Sequence, residues 1–121
     1  MSTARANNLS AAQRDRLSRF NVDSCVDVHC HCLSGLDDGP ADMSEALGLC
    51  RALVDDGVTC AIATPHQLGR YETEISGERI VKAVDELNEM LQREDVPLQV
   101  ACGAEIRVDM RVPELLECGE L

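Results

Sequence analysis

The sequence predicts an α/β protein built from parallel βαβ units, and three observations support that fold class. Short apolar runs alternate with longer stretches that carry apolar residues at helical spacing. Glycine or proline bounds most of these segments, as expected where strands and helices end. A polar cluster follows each apolar run. Because alternating strands and helices form right-handed parallel crossovers, and only three strands can be placed, we expect roughly the first half of a barrel-like α/β domain.

Residues 1–22 are predicted to form an N-terminal extension outside this domain. Ser10 can cap a short polar helix over residues 11–19, in which Leu17 and the nearby Phe20 are the only sizeable apolar anchors. So few anchors favour a solvated arm, and the alternative is an arm that docks on a partner subunit. The extension is therefore expected to contribute little to the core.

The first βα unit begins with an extended run over residues 25–32. A loop follows over residues 33–41, which contain two glycines and a proline. Asp42 and Glu45 then form a capping-box pattern, in which two side chains satisfy backbone N–H groups at the start of a helix. Gly57 is expected to end that helix. Its predicted buried stripe consists of Met43, Ala46, Leu47, Cys50, Leu53 and Val54.

The next two units repeat the same order of strand and helix. Residues 58–63 form a nearly continuous apolar run before Pro65, as expected of a strand buried on both faces. Ser76 is predicted to start a second helix, and residues 97–102 to form a third strand. A third helix is expected to open within residues 113–116. The second helix has a predicted buried stripe of Ile80, Val84, Leu87 and Leu91.

Composition and charge limit the classes of partner. The chain has 22 acidic and 11 basic residues and a net charge of −11, which repels nucleic acid and anionic membrane surfaces. We see no apolar run long enough for a signal sequence or a membrane span, so no membrane insertion is expected. The seven cysteines include no C-x-x-C pair, which favours reduced thiols in a cytoplasmic protein over a disulfide framework.

The stretch VDVHCHCLSGLDDG is the most informative part of the chain. In an extended strand side chains alternate between faces, so Asp27, His29 and His31 are expected to share one face. Cys30 and Cys32 then face the other way, and these neighbours cannot surround one tetrahedral zinc ion without distortion of the backbone. The two histidines can still bind one metal together while the cysteines pack as small apolar groups. The alternative for the histidines is a polar cluster in which they pair with acids.

Further nitrogen and oxygen ligands follow the other predicted strands. His66 follows the second strand and Glu105 the third, and Asp37 and Asp38 lie in the loop after the first. Because the carboxyl ends of parallel strands meet at one edge of a sheet, these side chains are expected to lie together. Donors of this kind without thiolate suit zinc, manganese, iron or magnesium. A shared Glu105 carboxylate can bridge two ions that clamp a phosphoryl group.

Four blocks of the chain resemble one family. VDVHCHCLSGLDDG, IATPH, GRY and CGAEIR are similar in order and spacing to signatures of the PHP (polymerase and histidinol phosphatase) superfamily. They are most similar to its bacterial capsule-type, metal-dependent protein-tyrosine phosphatases, and the resemblance covers residues 24–121. It implies a distorted, TIM-like (β/α)₇ barrel with a cluster of divalent ions at the carboxyl ends of the strands. The ions expected are Mn²⁺, with Zn²⁺, Fe²⁺ or Mg²⁺ as alternatives.

Site residues follow from the same resemblance by position. Asp27 would orient a ligand histidine. Arg70 and Tyr71, in the loop after the second strand, and Arg107, past the end of the third, are weaker candidates for contact with the substrate because of these positions alone. The alternatives are a solvated loop with one packed ring and an arginine paired with a surface acid. The implied metal ligands are His29, His31, Asp38, His66 and Glu105. The residues that would act in catalysis through the bound metal are His29, His31, His66 and Glu105.

The chain departs from the family pattern at two positions and in one whole region. Ser34 stands where proline is usual and Gln67 where a second histidine often follows, and neither change removes an implied ligand. The choice of Asp38 over Asp37 as the loop ligand rests on the resemblance. The family's later D-x-H pair and phosphate-binding arginines do not follow. Residues 23–121 are therefore predicted to be the N-terminal part of a PHP-type phosphatase domain whose C-terminal half is absent.

The function that this resemblance implies is removal of phosphate from phosphotyrosine in proteins by a metal-dependent phosphoesterase. The implied partner is a phosphotyrosine protein, such as a tyrosine kinase of polysaccharide export, and the implied setting is control of capsular or exopolysaccharide synthesis. One alternative is a small-molecule PHP phosphatase of the histidinol-phosphate type. Another is a catalytically incomplete metal-binding fragment. The sequence leaves open whether the chain forms a homo-oligomer.

Overall fold

Parallel strands and helices alternate along the part of the chain that the structure describes, residues 24–69 and 75–121 of a computed structural model. In chain order the elements are β1 (Cys25–Cys30), α1 (Met43–Asp55), β2 (Val58–Ala63), β3 (His66–Gln67), α2 (Gly77–Arg93), β4 (Gln99–Cys102), β5 (Glu105–Ile106) and α3 (Val112–Glu117). The longer strands form one sheet in the order β1-β2-β4, and both neighbouring pairs are parallel. The expected α/β class with parallel strands is confirmed. The predicted extension over residues 1–22 lies outside the described residues.

Helix α1 begins where the capping-box pattern predicted. Asp42 Oδ1 accepts a hydrogen bond from the backbone N–H of Glu45 at 2.9 Å. The Glu45 carboxylate accepts in turn from the N–H of Ala41 at 2.8 Å, one residue before the N-cap that an ideal capping box would use. The helix ends at Asp55, and Gly57 follows with a φ of 90°, which glycine adopts without strain. The buried side chains of α1 are Ala46, Leu47 and Cys50.

Helix α2 follows its predicted pattern in full. Ser76 caps it by accepting a hydrogen bond from the N–H of Arg79 at 3.2 Å. The side-chain amide of Asn88 donates to the carbonyl oxygen of Val100 at 2.8 Å and accepts from its N–H at 2.9 Å, which fixes the helix against β4. Within the described ranges, no helix combines the length and apolar character needed to cross a bilayer. The buried residues of α2 are Ile80, Val84, Leu87 and Leu91, the four that the apolar spacing selected.

The helices cover one face of the sheet, and the apolar core lies between them. On that face Ala61 and Ala63 of β2 are both 0 % exposed, and Val100 of β4 is 3 % exposed. Cys60 and Ile62, on the opposite face of β2, are only partly buried. The expectation that this strand is buried on both faces is therefore wrong for the described chain, because the helices pack against one face alone.

Two short strands continue the pairing of β2 with β4 after an interruption. β3 and β5 are parallel, with His66 opposite Glu105. His66 lies three residues beyond Ala63, and Glu105 lies three residues beyond the partner of Ala63, Cys102, so the register is unchanged across the gap. The gap contains Pro65, which has no N–H group to donate but accepts from the N–H of Glu105 at 2.9 Å. This unchanged register places His66 beside Glu105.

Gly103 lets the two strands approach closely at this interruption. A Cβ atom at this position would lie 2.7 Å from Ile62 Cγ2 and 3.1 Å from the carbonyl oxygen of Ala63. Contacts that short are not tolerated, so any side chain here would push β4 away from β2. The glycine therefore maintains the approach of the strands immediately before Glu105.

Candidate metal centre

A β-bulge in β1 determines where its side chains point. Asp27 pairs with Ala61 and Cys30 with Ala63, so three steps along β1 match two along β2. The alternation of side chains between the two faces of the strand is therefore interrupted. Asp27 lies on the helix-covered side of the sheet, as Cys30 does, and not on the side of His29. This differs from the expectation for an ideal strand, in which Asp27 and His29 share a face. The Asp27 carboxylate accepts a hydrogen bond from the backbone N–H of His29 at 3.0 Å. The Asp27 carboxylate thus contacts the backbone of the bulged segment, at His29.

The two cysteines of the motif pack in the core, as predicted. Cys30 is 7 % exposed and Cys32 is 0 % exposed. A hydrogen bond between the two thiols lowers the pKa of Cys30 and raises the pKa of Cys32. Burial raises the pKa of Cys50 to about 11. The H-C-H-C alternation therefore separates into a pair of core cysteines and a pair of histidines at the carboxyl edge of the sheet, which we call the rim.

One oxygen of Glu105 lies among three imidazole rings. Glu105 Oε2 is 2.8 Å from His31 Nε2, 3.2 Å from His29 Nε2 and 3.5 Å from His66 Nδ1. The Nε2 atoms of His29 and His31 are themselves 3.3 Å apart. His29, His31 and Glu105 offer ligand atoms within 4.8 Å of one another, a spacing that could hold a metal ion. A carboxylate in this position can also be shared with a second ion.

A second group of ligand atoms adjoins the first. Asp38 Oδ1 is 3.3 Å from His66 Nε2 and 3.8 Å from His31 Nδ1. His31, Asp37, Asp38 and His66 each offer one ligand atom within 4.8 Å of the others. The structure therefore brings together the five residues that the resemblance implied as ligands, and it adds Asp37 to them.

Asp37 is almost completely buried, with 1 % of its side chain exposed. Its Oδ2 lies 2.9 Å from His31 Nδ1 and accepts a hydrogen bond from the backbone N–H of His66 at 3.0 Å. Its Oδ1 accepts from the N–H of Gly39 at 3.0 Å. Sequence reasoning did not assign these contacts, because two adjacent aspartates look alike. The available signal was the D-x-G spacing, since an aspartate often accepts from the N–H two residues later.

These contacts shift pKa values at the rim in opposite directions. Burial alone would raise the pKa of Asp37, but hydrogen bonds from His31 and from two backbone N–H groups outweigh it, so the pKa is lowered. Burial alone would lower the pKa of His31, but the contact with Asp37 and the other nearby carboxylates raises it. The hydrogen bond from His29 lowers the pKa of Glu105. The rim therefore holds ionised carboxylates, which favour a bound cation.

A cleft of about 440 Å³ opens beside these groups. Arg107, a weaker candidate from the sequence, lies in its wall and packs against Gly69, where an added Cβ would come within 3.1 Å of Arg107 Cδ. Arg70 and Tyr71 lie outside the described residues. The lining includes Asp38, His66, Leu68, Glu105, Ile106 and Arg107. Candidate metal ligands, apolar side chains and a cationic side chain thus line the same cleft.

The donor set fits divalent metal ions. The two groups of ligand atoms consist of imidazole nitrogens and carboxylate oxygens, and neither group includes a thiolate. Such donors suit manganese, zinc, iron(II) and magnesium. The oxygen of Glu105 that faces three rings lies at the junction of the two groups.

A family model and known proteins match this chain. The model described as capsular polysaccharide synthesis, CpsB/CapC, matches residues 25–121. The tyrosine-protein phosphatase YwqE of Bacillus subtilis (strain 168) is 43 % identical over 84 residues, which cover 69 % of this chain and 32 % of YwqE. The tyrosine-protein phosphatase CpsB of Streptococcus pneumoniae is 30 % identical over 97 residues, which cover 79 % of this chain and 39 % of CpsB.

A solved structure matches in three dimensions. It comes from the crystal structures of YwqE from Bacillus subtilis and CpsB from Streptococcus pneumoniae, which are described as unique metal-dependent tyrosine phosphatases. The TM-score is 0.74 at 38 % sequence identity, and the match covers 80 % of this chain and 39 % of that one. This chain therefore spans less than two fifths of the length of each of these relatives.

Proposed function

Because the chain belongs to the CpsB/CapC family of capsular polysaccharide synthesis, we propose that it supplies the metal-binding part of a phosphatase that acts on phosphotyrosine in proteins. The observation that carries this proposal is the position of Glu105 Oε2, which lies 2.8 Å, 3.2 Å and 3.5 Å from nitrogens of three imidazole rings. The description of YwqE and CpsB as metal-dependent tyrosine phosphatases supports it. The proposal concerns the activity of the whole domain, of which this chain matches a part.

Two adjoining sets of side chains would hold the metal ions. His29, His31 and Glu105 would form the first set. Asp38 and His66 would form the second and would share Glu105 with the first, because Glu105 Oε2 lies 3.5 Å from His66 Nδ1. Divalent ions bound there, manganese in the first place, would polarise a phosphoryl group as Lewis acids and offset the charge that develops on its oxygens. Asp27 would hold His29 in position through the hydrogen bond from its backbone N–H.

The cleft beside the ligands would receive the phosphotyrosine side chain. Arg107 would pair with phosphate oxygens, to which a guanidinium group presents two parallel N–H donors. Leu68 and Ile106 offer apolar surface against which an aromatic ring can pack. Arg70 and Tyr71 remain weaker candidates, from the sequence, for contact with the substrate. An aromatic phosphate ester therefore suits the mixture of groups in this cleft.

Residues 23–121 would then be the N-terminal part of a PHP-type domain, and the parallel sheet would be part of its TIM-like barrel. The proposed setting is the cytoplasm, in the control of capsular or exopolysaccharide synthesis. The cysteines support a reducing compartment, because all seven are free thiols. The proposed substrate is a phosphotyrosine protein such as a tyrosine kinase of polysaccharide export.

Phosphate release from a phosphotyrosine peptide tests this function. The 121-residue protein and the longest reading frame that contains it are assayed with manganese, and with EDTA as a control. We expect release by at least the longer protein and its loss with EDTA. A phosphoserine peptide and histidinol phosphate are the matched substrates. A preference for histidinol phosphate would support the small-molecule type of PHP phosphatase instead.

Metal analysis of the same two proteins tests the second candidate, a catalytically incomplete metal-binding fragment. That candidate is favoured by the coverage of less than two fifths of YwqE and CpsB. Metal bound by both proteins, with activity in the longer one alone, would identify this chain as such a fragment. Metal bound by both with no release from any phosphate ester would contradict the phosphatase proposal.

A further inference from the structure

Asp37 joins three segments of the rim. Its Oδ2 lies 2.9 Å from His31 Nδ1, at the end of β1, and 3.0 Å from the backbone nitrogen of His66, at the start of β3. Its Oδ1 lies 3.0 Å from the backbone nitrogen of Gly39, in the loop before α1. The side chain is 1 % exposed. Three donors surround the two buried oxygens, so the protein itself satisfies this carboxylate.

These contacts determine which nitrogen of His31 can bind a metal ion. An ionised carboxylate accepts hydrogen bonds and cannot donate them, so the proton between Asp37 and His31 belongs to His31 Nδ1. Nε2 is 2.8 Å from Glu105 Oε2 and 3.3 Å from His29 Nε2. The Glu105 carboxylate is also an acceptor, so it favours a proton on Nε2 while no ion is bound, and a cation bound at Nε2 would displace that proton. The buried Asp37 would keep the proton on Nδ1, so Nε2 is the nitrogen that faces the other residues of the first ligand set as a ligand.

The loop around Gly39 keeps the Asp37 carboxylate in place. A Cβ atom at Gly39 would lie 2.6 Å from the carbonyl oxygen of His31 and 3.1 Å from Asp37 Oδ1. These distances leave no room for a side chain, so the loop closes tightly on the residue that follows β1. The next residue, Asp38, is 54 % exposed and lies 3.3 Å from His66 Nε2. The two adjacent aspartates thus have different surroundings, one inside the protein and one at the rim.

We propose that Asp37 is a positioning residue rather than a metal ligand. It selects the Nδ1–H tautomer of His31, and through the backbone of His66 it fixes the distance between the ends of β1 and β3. Carboxylates that hold ligand histidines in this way raise the affinity of metal sites. The inference rests on the proposed metal-dependent function for its purpose, but its geometry is independent of any activity.

The ring nitrogen of His31 that carries the proton in the zinc-bound protein is the direct test. Zn²⁺ is d¹⁰ and diamagnetic, so two-dimensional ¹H–¹⁵N spectra of the full chain report which nitrogen this is. A His31→Gln variant assigns the signal. We expect the Nδ1–H form. The Nε2–H form would overturn the proposal whatever the phosphatase assay shows, so failure of this inference and failure of the proposed function are separate results.

An Asp37→Asn variant tests the effect on metal binding. The amide keeps the shape but presents an NH₂ donor in place of one acceptor oxygen, so we expect His31 to shift toward the Nε2–H form. We expect manganese affinity, measured by titration calorimetry, to fall about 10- to 100-fold. Asp38→Asn is the matched control, and it should lower the affinity while leaving the tautomer of His31 unchanged.

Two results would contradict the role of Asp37. Lower affinity in Asp37→Asn with an unchanged His31 tautomer would identify Asp37 as a ligand, and unchanged affinity would remove its role altogether. Circular dichroism and thermal unfolding establish that the variant folds. If it does not, the spectrum of the unmodified protein alone decides, because the proposal requires the Nδ1–H form there.

Discussion

The helix-covered face of the sheet and its rim depend on different features of the sequence. On the covered face, α2 buries the four residues that helical spacing selects. At the rim, His66 and Glu105 meet although α2 and β4 lie between them in the sequence. The first arrangement depends on local spacing and the second on the register between strands. Stability and rim chemistry should therefore respond to different mutations.

The largest effect on folding is expected from Leu87→Ala on the covered face. Leu87 is 1 % exposed, and its truncation leaves a cavity that lowers the free energy of unfolding by about 2–5 kcal/mol, measured by urea denaturation. Val81→Ala, on the same helix but 50 % exposed, is the control and should change it by less than about 0.5 kcal/mol. Equal effects from the two variants would show that α2 does not cover this core.

Removal of His29 and His31 should strongly weaken metal binding. For the double variant His29→Ala, His31→Ala we expect manganese affinity to fall at least about 100-fold, or about 2.7 kcal/mol, because two of the three ligands of the first set are lost. Metal analysis after dialysis measures this. Val28→Ala, on the same strand and with Val28 67 % exposed, should retain the metal. Unchanged metal content in the double variant would refute the ligand assignment.

A smaller loss of stability is expected from Asn88→Ala, where the two regions meet. This change leaves the N–H and carbonyl groups of Val100 without their side-chain partner, at a cost of about 1–3 kcal/mol. Glu89→Ala, at the adjacent exposed position, is the control. If metal affinity also falls in Asn88→Ala, the covered face and the rim are coupled through β4, and the separation described above does not hold.

The smallest effect is the pH dependence of the metal-free protein. The pKa of His31 is higher in the folded protein than in the unfolded chain, where it is about 6.5. This difference stabilises the folded protein at pH values below about 6.5, and the stabilisation is lost as the pH rises through the raised pKa. The lowered pKa of Asp37 contributes above about pH 4, and this is lost as pH falls through the lowered pKa. In EDTA the thermal midpoint should therefore be highest between about pH 4 and 6.5.

The His31→Gln variant is the control for this pH dependence. It lacks the titrating ring, so its thermal midpoint should not fall above about pH 6.5 as that of the unmodified protein does. The same decline in both proteins would assign the effect to other groups.

Much of the fold was predictable because its signals are local. The cap at Asp42, the cap at Ser76 and the buried stripe of α2 follow from spacing within one segment. The collection of histidines and acids at one edge followed from a general property of parallel sheets. The bulge that turns Asp27 toward the covered side could not be predicted from the sequence, because it depends on how β1 pairs with β2. The D-x-G spacing is a local signal for the contact of Asp37 with Gly39, but the contact with His66 joins separate segments, and no spacing within one segment encodes it.

The unchanged register across the gap before β3 and β5 limits how the chain can vary in length. One residue inserted between Ala63 and His66 would move His66 by about 3.3 Å along its strand and turn its side chain to the opposite face. The same insertion between Cys102 and Glu105 would displace Glu105 in the same way. Matching insertions in both connections would restore the pairing of His66 with Glu105. These two short connections can therefore change in composition more freely than in length, and a deletion in one calls for a deletion in the other.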